Sequence, residues 1–150
     1  MRVWRIARRA FQALDGEGAR LYGGRWNSEG VPVVYASGTI ALAALEYLVH
    51  VDPDDVPDDL VVMEIDVPDD AGMERVELAA LPEGWNRVED LAVCVGFGDL
   101  WAATGTSLVL SVPSSLVSRE ANFLLNPLHP DAARIQVVAG DPFVFDPRLL

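Results

Sequence analysis

The run from Thr39 to His50, TIALAALEYLVH, holds the longest apolar segment of the chain, and it admits one charged residue, Glu46. About twenty such residues are needed to cross a bilayer, so this segment is too short to span one. It has the length of a single buried helix, with Thr39 as its cap and the following DPDDVPDD as its stop. The other apolar residues come in shorter pieces. RVWRIA, VPVVYAS, LVVMEIDV, TSLVLSVPSS, RIQVVA and FVFD read as strands. Trp4 and Ile6 share a face of the first, and a turn at Gly140-Asp141-Pro142 divides the last two. Asp99 to Thr104, with room to extend upstream, reads as helix. Met73 to Arg87 gives mixed signals, with LPEGW as a loop. Many strands, few helices and no repeat or linker predict one α+β (mixed α/β) domain over residues 1–150, built on a central mixed sheet.

Several chemistries are poorly served by this composition. Cys94 is the single cysteine and His50 and His129 the only histidines, which argues against a disulfide framework or a structural zinc site. No Walker loop or Gly-x-Ser-x-Gly elbow is present, and GFGDLW starts like a dinucleotide fingerprint but lacks its third glycine. MRVWRIARRAF has no signal-peptide core, so the expected location is cytoplasmic. The net charge is −12, without a lysine. Six arginines against Asp15 and Glu17 give Met1 to Arg25 a local +4, while Asp52 to Asp90 sets fourteen acids against Arg75 and Arg87. An acidic chain is a poor binder of nucleic acid, but a local arginine cluster can still hold one small anion. The acidic stretch reads as a solvated surface.

Within GARLYGGRWNSEGVPVVYAS, Arg25 stands between a Gly-Gly pair and Trp-Asn. Glycine permits a sharp turn or close approach to a ligand, and a guanidinium on such a turn suits phosphate or carboxylate. An ordinary hairpin with a solvated arginine fits the same spacing. Glu46 has Leu42, Ala43, Val49 and His50 three and four positions away, an apolar helix face on which it either pairs with a cation or projects into a cleft. Taken singly, Tyr35 reads as a packed phenol, Ser114 as a turn start after Pro113, and Asn126 as a turn residue before Pro127.

In order, GGRWN, VVYAS, ALAALEYLVH, GDLW, VPSSLV and EANFLLNPLHP make the chain resemble the RES family of bacterial toxins, from VWRIA through RIQVV. The resemblance implies a fold like that of ADP-ribosyltransferases and an active site lined by Arg25, Tyr35, Glu46 and Ser114. Ser115, Asn27 and Asn126 are added as substrate-binding residues, and Trp26 as packing beneath the turn. It implies an enzyme that consumes NAD⁺ as substrate, not as a resident cofactor, with inorganic phosphate or water as acceptor. Modification of a host protein by ADP-ribosylation is the alternative, and a non-catalytic nucleotide- or antitoxin-binding module another. The implied partner is an Xre-type antitoxin that blocks the active site and contacts DNA on the toxin's behalf. A homodimer within that assembly is compatible, and no membrane contact is expected.

Overall fold

The computed structural model describes residues 1–150. Seven strands form one sheet: β1 (Arg2–Arg8), β2 (Val34–Ser37), β3 (Leu60–Asp66), β4 (Met73–Arg75), β5 (Val109–Pro113), β6 (Ala121–Leu125) and β7 (Gln136–Pro142), in the order β4-β5-β6-β2-β1-β3-β7. Only β4 and β5 are parallel, so the sheet is mixed as expected. Three α-helices accompany it: α1 (Glu17–Tyr22), α2 (Ile40–Leu48) and α3 (Ala92–Thr104). None is long and apolar enough to cross a membrane.

Alternation along the strands sorts side chains onto two faces. Val3, Val34, Ala36, Val61, Met63, Ile65, Val109 and Leu125 bury one face beneath loop residues such as Leu14 and Ile135. On the other, Ile6 and Leu60 pack with Ala43 of α2 and with Phe145, while Leu110, Val112 and Leu124 pack with Cys94 and Trp101 of α3. The two longer helices therefore share a face. Trp4 packs beside Ile6 there, as the alternation predicts.

Charges follow the pairing. β1 lies antiparallel to β3 along its whole length, which brings Arg2 to Glu64 and, at 3.0 Å, to Asp66, and sets Arg8 2.9 Å from Asp59. Every acid from Asp52 to Asp90 is exposed or half-buried, the solvated surface expected of that stretch.

Several elements differ from the sequence reading, among them β4, which lies where the signals were mixed. β7 runs unbroken through Gly140 and Asp141 to Pro142, because all three pair with β3. A proline is tolerated at the end of an edge strand, where its missing N–H breaks no ladder. FVFD is consequently no strand. The Phe143 amide still donates to the Leu60 carbonyl at 2.9 Å, and Phe143 and Phe145 meet edge to face at 5.0 Å. β6 lies inside the turn-rich EANFLLNPLHP, and α1 is a six-residue helix containing Gly18. Both are too short for periodicity to show. α3 starts seven residues before Asp99.

Gly98 lets α3 approach the rest of the fold: a Cβ there would stand 1.7 Å from the carbonyl oxygen of Trp26. Gly98→Ala must push the helix away and should cost about 3 kcal/mol of stability, read as a lower urea midpoint. An unchanged midpoint would show that this contact does not hold α3 in place.

Candidate active site

Between α2 and the segment leading into α3 lies a cleft of about 840 Å³, within the range usual for small-molecule sites. Its floor is Trp4 and Ile6 of β1, Tyr35 and Ser37 of β2, and Asn122 of β6. β1 meets β2 only at Trp4–Ser37, so the sheet parts beneath the cleft.

One wall is α2. Thr39 caps it, accepting from the Leu42 amide at 3.0 Å, a contact worth about 1 kcal/mol. Leu42 and Ala43 are buried, and one turn later the same side of the helix carries Glu46 to the cleft. No cation pairs with Glu46. Its Oε1 instead accepts from the Ser114 hydroxyl at 2.7 Å and the Asn122 amide at 2.6 Å. Ser114 is fully buried, and its oxygen accepts in turn from the backbone amides of Leu116 and Val117, both at 3.1 Å. Asn122 Oδ1 accepts from the hydroxyl of Ser37, its directly opposite partner in the β2–β6 ladder, at 2.7 Å.

The facing wall is the glycine turn. Gly23 has a φ of +68°, and Gly24 closes the turn through its amide to the Asn27 carbonyl at 3.0 Å. A Cβ on Gly24 would stand 2.7 Å from the Tyr35 oxygen, so only glycine fits. Behind the turn, Asn27 is buried and donates to the carbonyls of Ala19, Ser28 and Val31 at 2.8 to 3.1 Å. The Tyr35 hydroxyl donates to Asn27 Oδ1 at 2.7 Å and accepts from the Trp26 amide at 3.1 Å. From α3, Asp99 accepts from the amide and hydroxyl of Ser28 at 2.9 and 2.5 Å. Trp26 is buried against Trp85, with ring centroids 6.2 Å apart. GGRWN and GDLW are thus two sides of one contact: Gly98 admits the Trp26 backbone and Asp99 ties down Ser28.

Arg25 reaches from the turn to the next loop, donating to the carbonyls of Trp85 at 3.0 Å, Arg87 at 3.1 Å and Asn86 at 3.4 Å. No carboxylate neutralises it. Among the six N-terminal arginines, Arg2, Arg8 and Arg20 have acidic partners, whereas Arg5, Arg9 and Arg25 have none. Arg5 and Arg25 both line the cleft, and burial pushes the Arg5 guanidinium below its ordinary value, with Asp15 acting against the shift. The local positive charge is therefore spent partly on surface pairing and partly on an anion-ready cleft.

Of the residues singled out from the sequence, Arg25, Tyr35, Glu46 and Ser115 line the cleft. Ser114 lies beneath it, in contact with Glu46, so of the serine doublet it is Ser115 that faces the space. Two others do not line the cleft. Asn27 is consumed by the turn, and Asn126 sits elsewhere, accepting from the Leu128 amide at 3.0 Å and reaching the Ala102 carbonyl. Arg5, Ser37 and Asn122 escaped the sequence reading. Asn122 lies within EANF, but an asparagine opposite a serine is visible only when β2 and β6 are paired. No group of three or more His, Cys, Asp or Glu is placed to hold a metal ion.

Burial pushes the Tyr35 phenol well above its usual value of 10.0. The folded state thus keeps this proton more tightly than the unfolded chain, and the stabilisation is full below about pH 10 and lost as pH rises beyond it. Tyr35→Phe should cost about 1–3 kcal/mol at neutral pH by orphaning Asn27 Oδ1 and the Trp26 amide. It should also flatten the decline of stability in alkali, read by denaturant unfolding from pH 7 to 11. Parallel wild-type and variant curves would contradict this.

Comparison with known proteins gives a consistent picture. A family model described as the RES domain matches residues 2–146. The Prs ADP-ribosylating toxin of Sphingobium sp. is 40% identical, aligned over 98% of this chain and 95% of its own. Toxin Res of Photorhabdus laumondii is 35% identical over 100% and 97%, and Toxin Res of Pseudomonas putida 37% identical over 99% of each. Among solved structures, a chain of the M. tuberculosis MbcT–MbcA toxin–antitoxin complex superposes with a TM-score of 0.78. It is 18% identical and covers 99% of this chain and 85% of that one, a likeness of fold.

Proposed function

The chain belongs to the RES domain family, and from that membership and the cleft we propose that it is a toxin of a toxin–antitoxin pair that cleaves the nicotinamide–ribose bond of NAD⁺. The observation that carries this reading is Glu46: a carboxylate without a cation, pinned through one oxygen at the edge of a cleft that also presents two unpaired arginines.

The bond to be broken joins ribose C1 to a ring nitrogen that is cationic in NAD⁺. Its electron pair leaves with neutral nicotinamide, so no general acid is needed, in contrast to the two-carboxylate arrangement of glycosidases. Positive charge develops on the ribose, and a preorganised carboxylate stabilises it where the charge appears. Oε2 of Glu46, which accepts no bond from the protein, is the atom suited to that. Arg25 offers its fork to the pyrophosphate or to an incoming phosphate. Tyr35, with its hydroxyl engaged by the turn, presents its ring to the cleft and suits stacking on nicotinamide. Ser115 suits hydrogen bonding to ribose or phosphate.

The acceptor completes the reaction. Hydrogen phosphate attacking C1 gives ADP-ribose 1-phosphate and nicotinamide and keeps its own proton. Water gives ADP-ribose and releases one. Phosphate is the leading reading, because Arg25, held by backbone carbonyls and without a carboxylate partner, favours an anionic acceptor. A protein nucleophile is the second reading, favoured by the name of the 40% identical relative, an ADP-ribosylating toxin. An antitoxin that covers the cleft is the proposed partner, supported by the toxin names of the relatives and by the complex in which the structural neighbour was solved.

Phosphorus NMR of the purified protein with NAD⁺, with and without inorganic phosphate, tests the reading. Phosphate-accelerated loss of NAD⁺ with a new sugar-phosphate signal is expected. Phosphate-independent loss would make water the acceptor, and label from NAD⁺ accumulating on protein would establish the second reading. An active protein is expected to lose roughly 100- to 1,000-fold in turnover on Glu46→Gln, because the charge is removed and the shape kept. Wild-type turnover in that variant would sink the role given to the carboxylate. Arg25→Ala should raise the KM for NAD⁺ roughly 10- to 100-fold, the loss of a charged hydrogen-bonding group. A change in melting temperature alone would make Arg25 a brace for the Trp85–Arg87 loop.

A further inference from the structure

Resting on that reading of the cleft, we infer that Asn122, braced by Ser37, is a positioning residue that fixes the rotation of the Glu46 carboxylate and presents Oε2 alone to the substrate. Both lone pairs of the Ser114 oxygen are met by the amides of Leu116 and Val117, so its single proton goes to Glu46. The Asn122 side chain can in principle present either end of its amide. Turned over, it would set Oδ1 against Glu46 Oε1 at 2.6 Å with no proton between them, a repulsion that an ionised carboxylate does not tolerate. The carboxylate therefore sets which end of the amide faces it, and the Ser37 hydroxyl, donating to Oδ1 at 2.7 Å, satisfies and braces that orientation.

Ser37 and Asn122 are directly opposite each other on two adjacent inner strands of the sheet, so the frame that braces the amide is rigid. Glu46 comes from a helix that carries no other bond to this carboxylate. Without Asn122 its terminal group would turn about the Ser114 contact, and a displacement of about 1 Å at a reacting centre costs roughly 100-fold in rate. The relay Ser37–Asn122–Glu46 therefore acts on the chemical step and not on binding.

The test compares wild type with Asn122→Ala, Asn122→Asp and Ser37→Ala, each checked for cooperative unfolding. NAD⁺ turnover should fall roughly 10- to 100-fold in Asn122→Ala with KM within about threefold, and fall less in Ser37→Ala. Asn122→Asp places a second carboxylate against Glu46, so the two must share a proton and the pH profile of kcat should gain an ionisation absent from wild type. Carbon-13 NMR of the Glu46 carboxyl gives a readout independent of turnover. Its titration should move upward in Asn122→Asp. Wild-type kcat in both alanine variants, or a Glu46 titration unmoved in Asn122→Asp, overturns the inference. Wild-type protein that leaves NAD⁺ intact would overturn the proposed reaction, while the carboxyl titration still tests the Asn122–Glu46 contact on which the relay rests.

Discussion

The Glu46 carboxylate, on a helix face that begins apolar and without an ion-pair partner, is held by neutral donors, and much of this fold is arranged around that contact. Here the donors are Ser114 after β5 and Asn122 on β6, both far from Glu46 in sequence, and Asn122 is in turn met by Ser37 on β2. Neutral donors satisfy the charge without cancelling it. An arginine in their place would have made Glu46 a structural ion pair and removed its field from the cleft.

The same economy governs the positive side. Three of the N-terminal arginines are bound to carboxylates at the surface, where such pairs contribute about 0–1 kcal/mol each. Arg25 is held only by backbone carbonyls, which orient a guanidinium while leaving its charge available. A chain with a net charge of −12 thereby keeps a cleft suited to an anionic substrate. The turn that carries Arg25 is over-determined. Gly24 admits the Tyr35 hydroxyl, Asn27 ties three carbonyls, and α3 seats on the Trp26 backbone through Gly98. Rigid placement of this kind is what a preorganised site requires.

The strands and the helix around Glu46 were legible because alternation and helical periodicity are local properties of the backbone. So were Thr39 as a cap and Trp26 as a buried anchor. β6 and α1 were not, since five or six residues among turn formers show no period. The turn expected at Gly140-Asp141-Pro142 failed for a different reason. Pairing with β3 supplied hydrogen bonds that outweighed a local turn preference, as tertiary context often does. Within the site, resemblance led to Arg25, Tyr35, Glu46 and Ser114 but could not separate a group facing the cleft from one supporting it. Ser114 and Ser115 differ only in which way the chain turns after Pro113, and Asn27 and Asn126 proved to be occupied with backbone groups.

The sequence by itself determined the class of fold, which resides in periodicity along one dimension, and the family, which its ordered motifs carry by resemblance. Tertiary structure alone decided which polar groups meet. Ser37 and Asn122 are eighty-five residues apart, and only the β2–β6 register places them opposite each other beneath Glu46. A hydrogen bond is made or lost over a few tenths of an ångström, a precision that residue spacing does not encode.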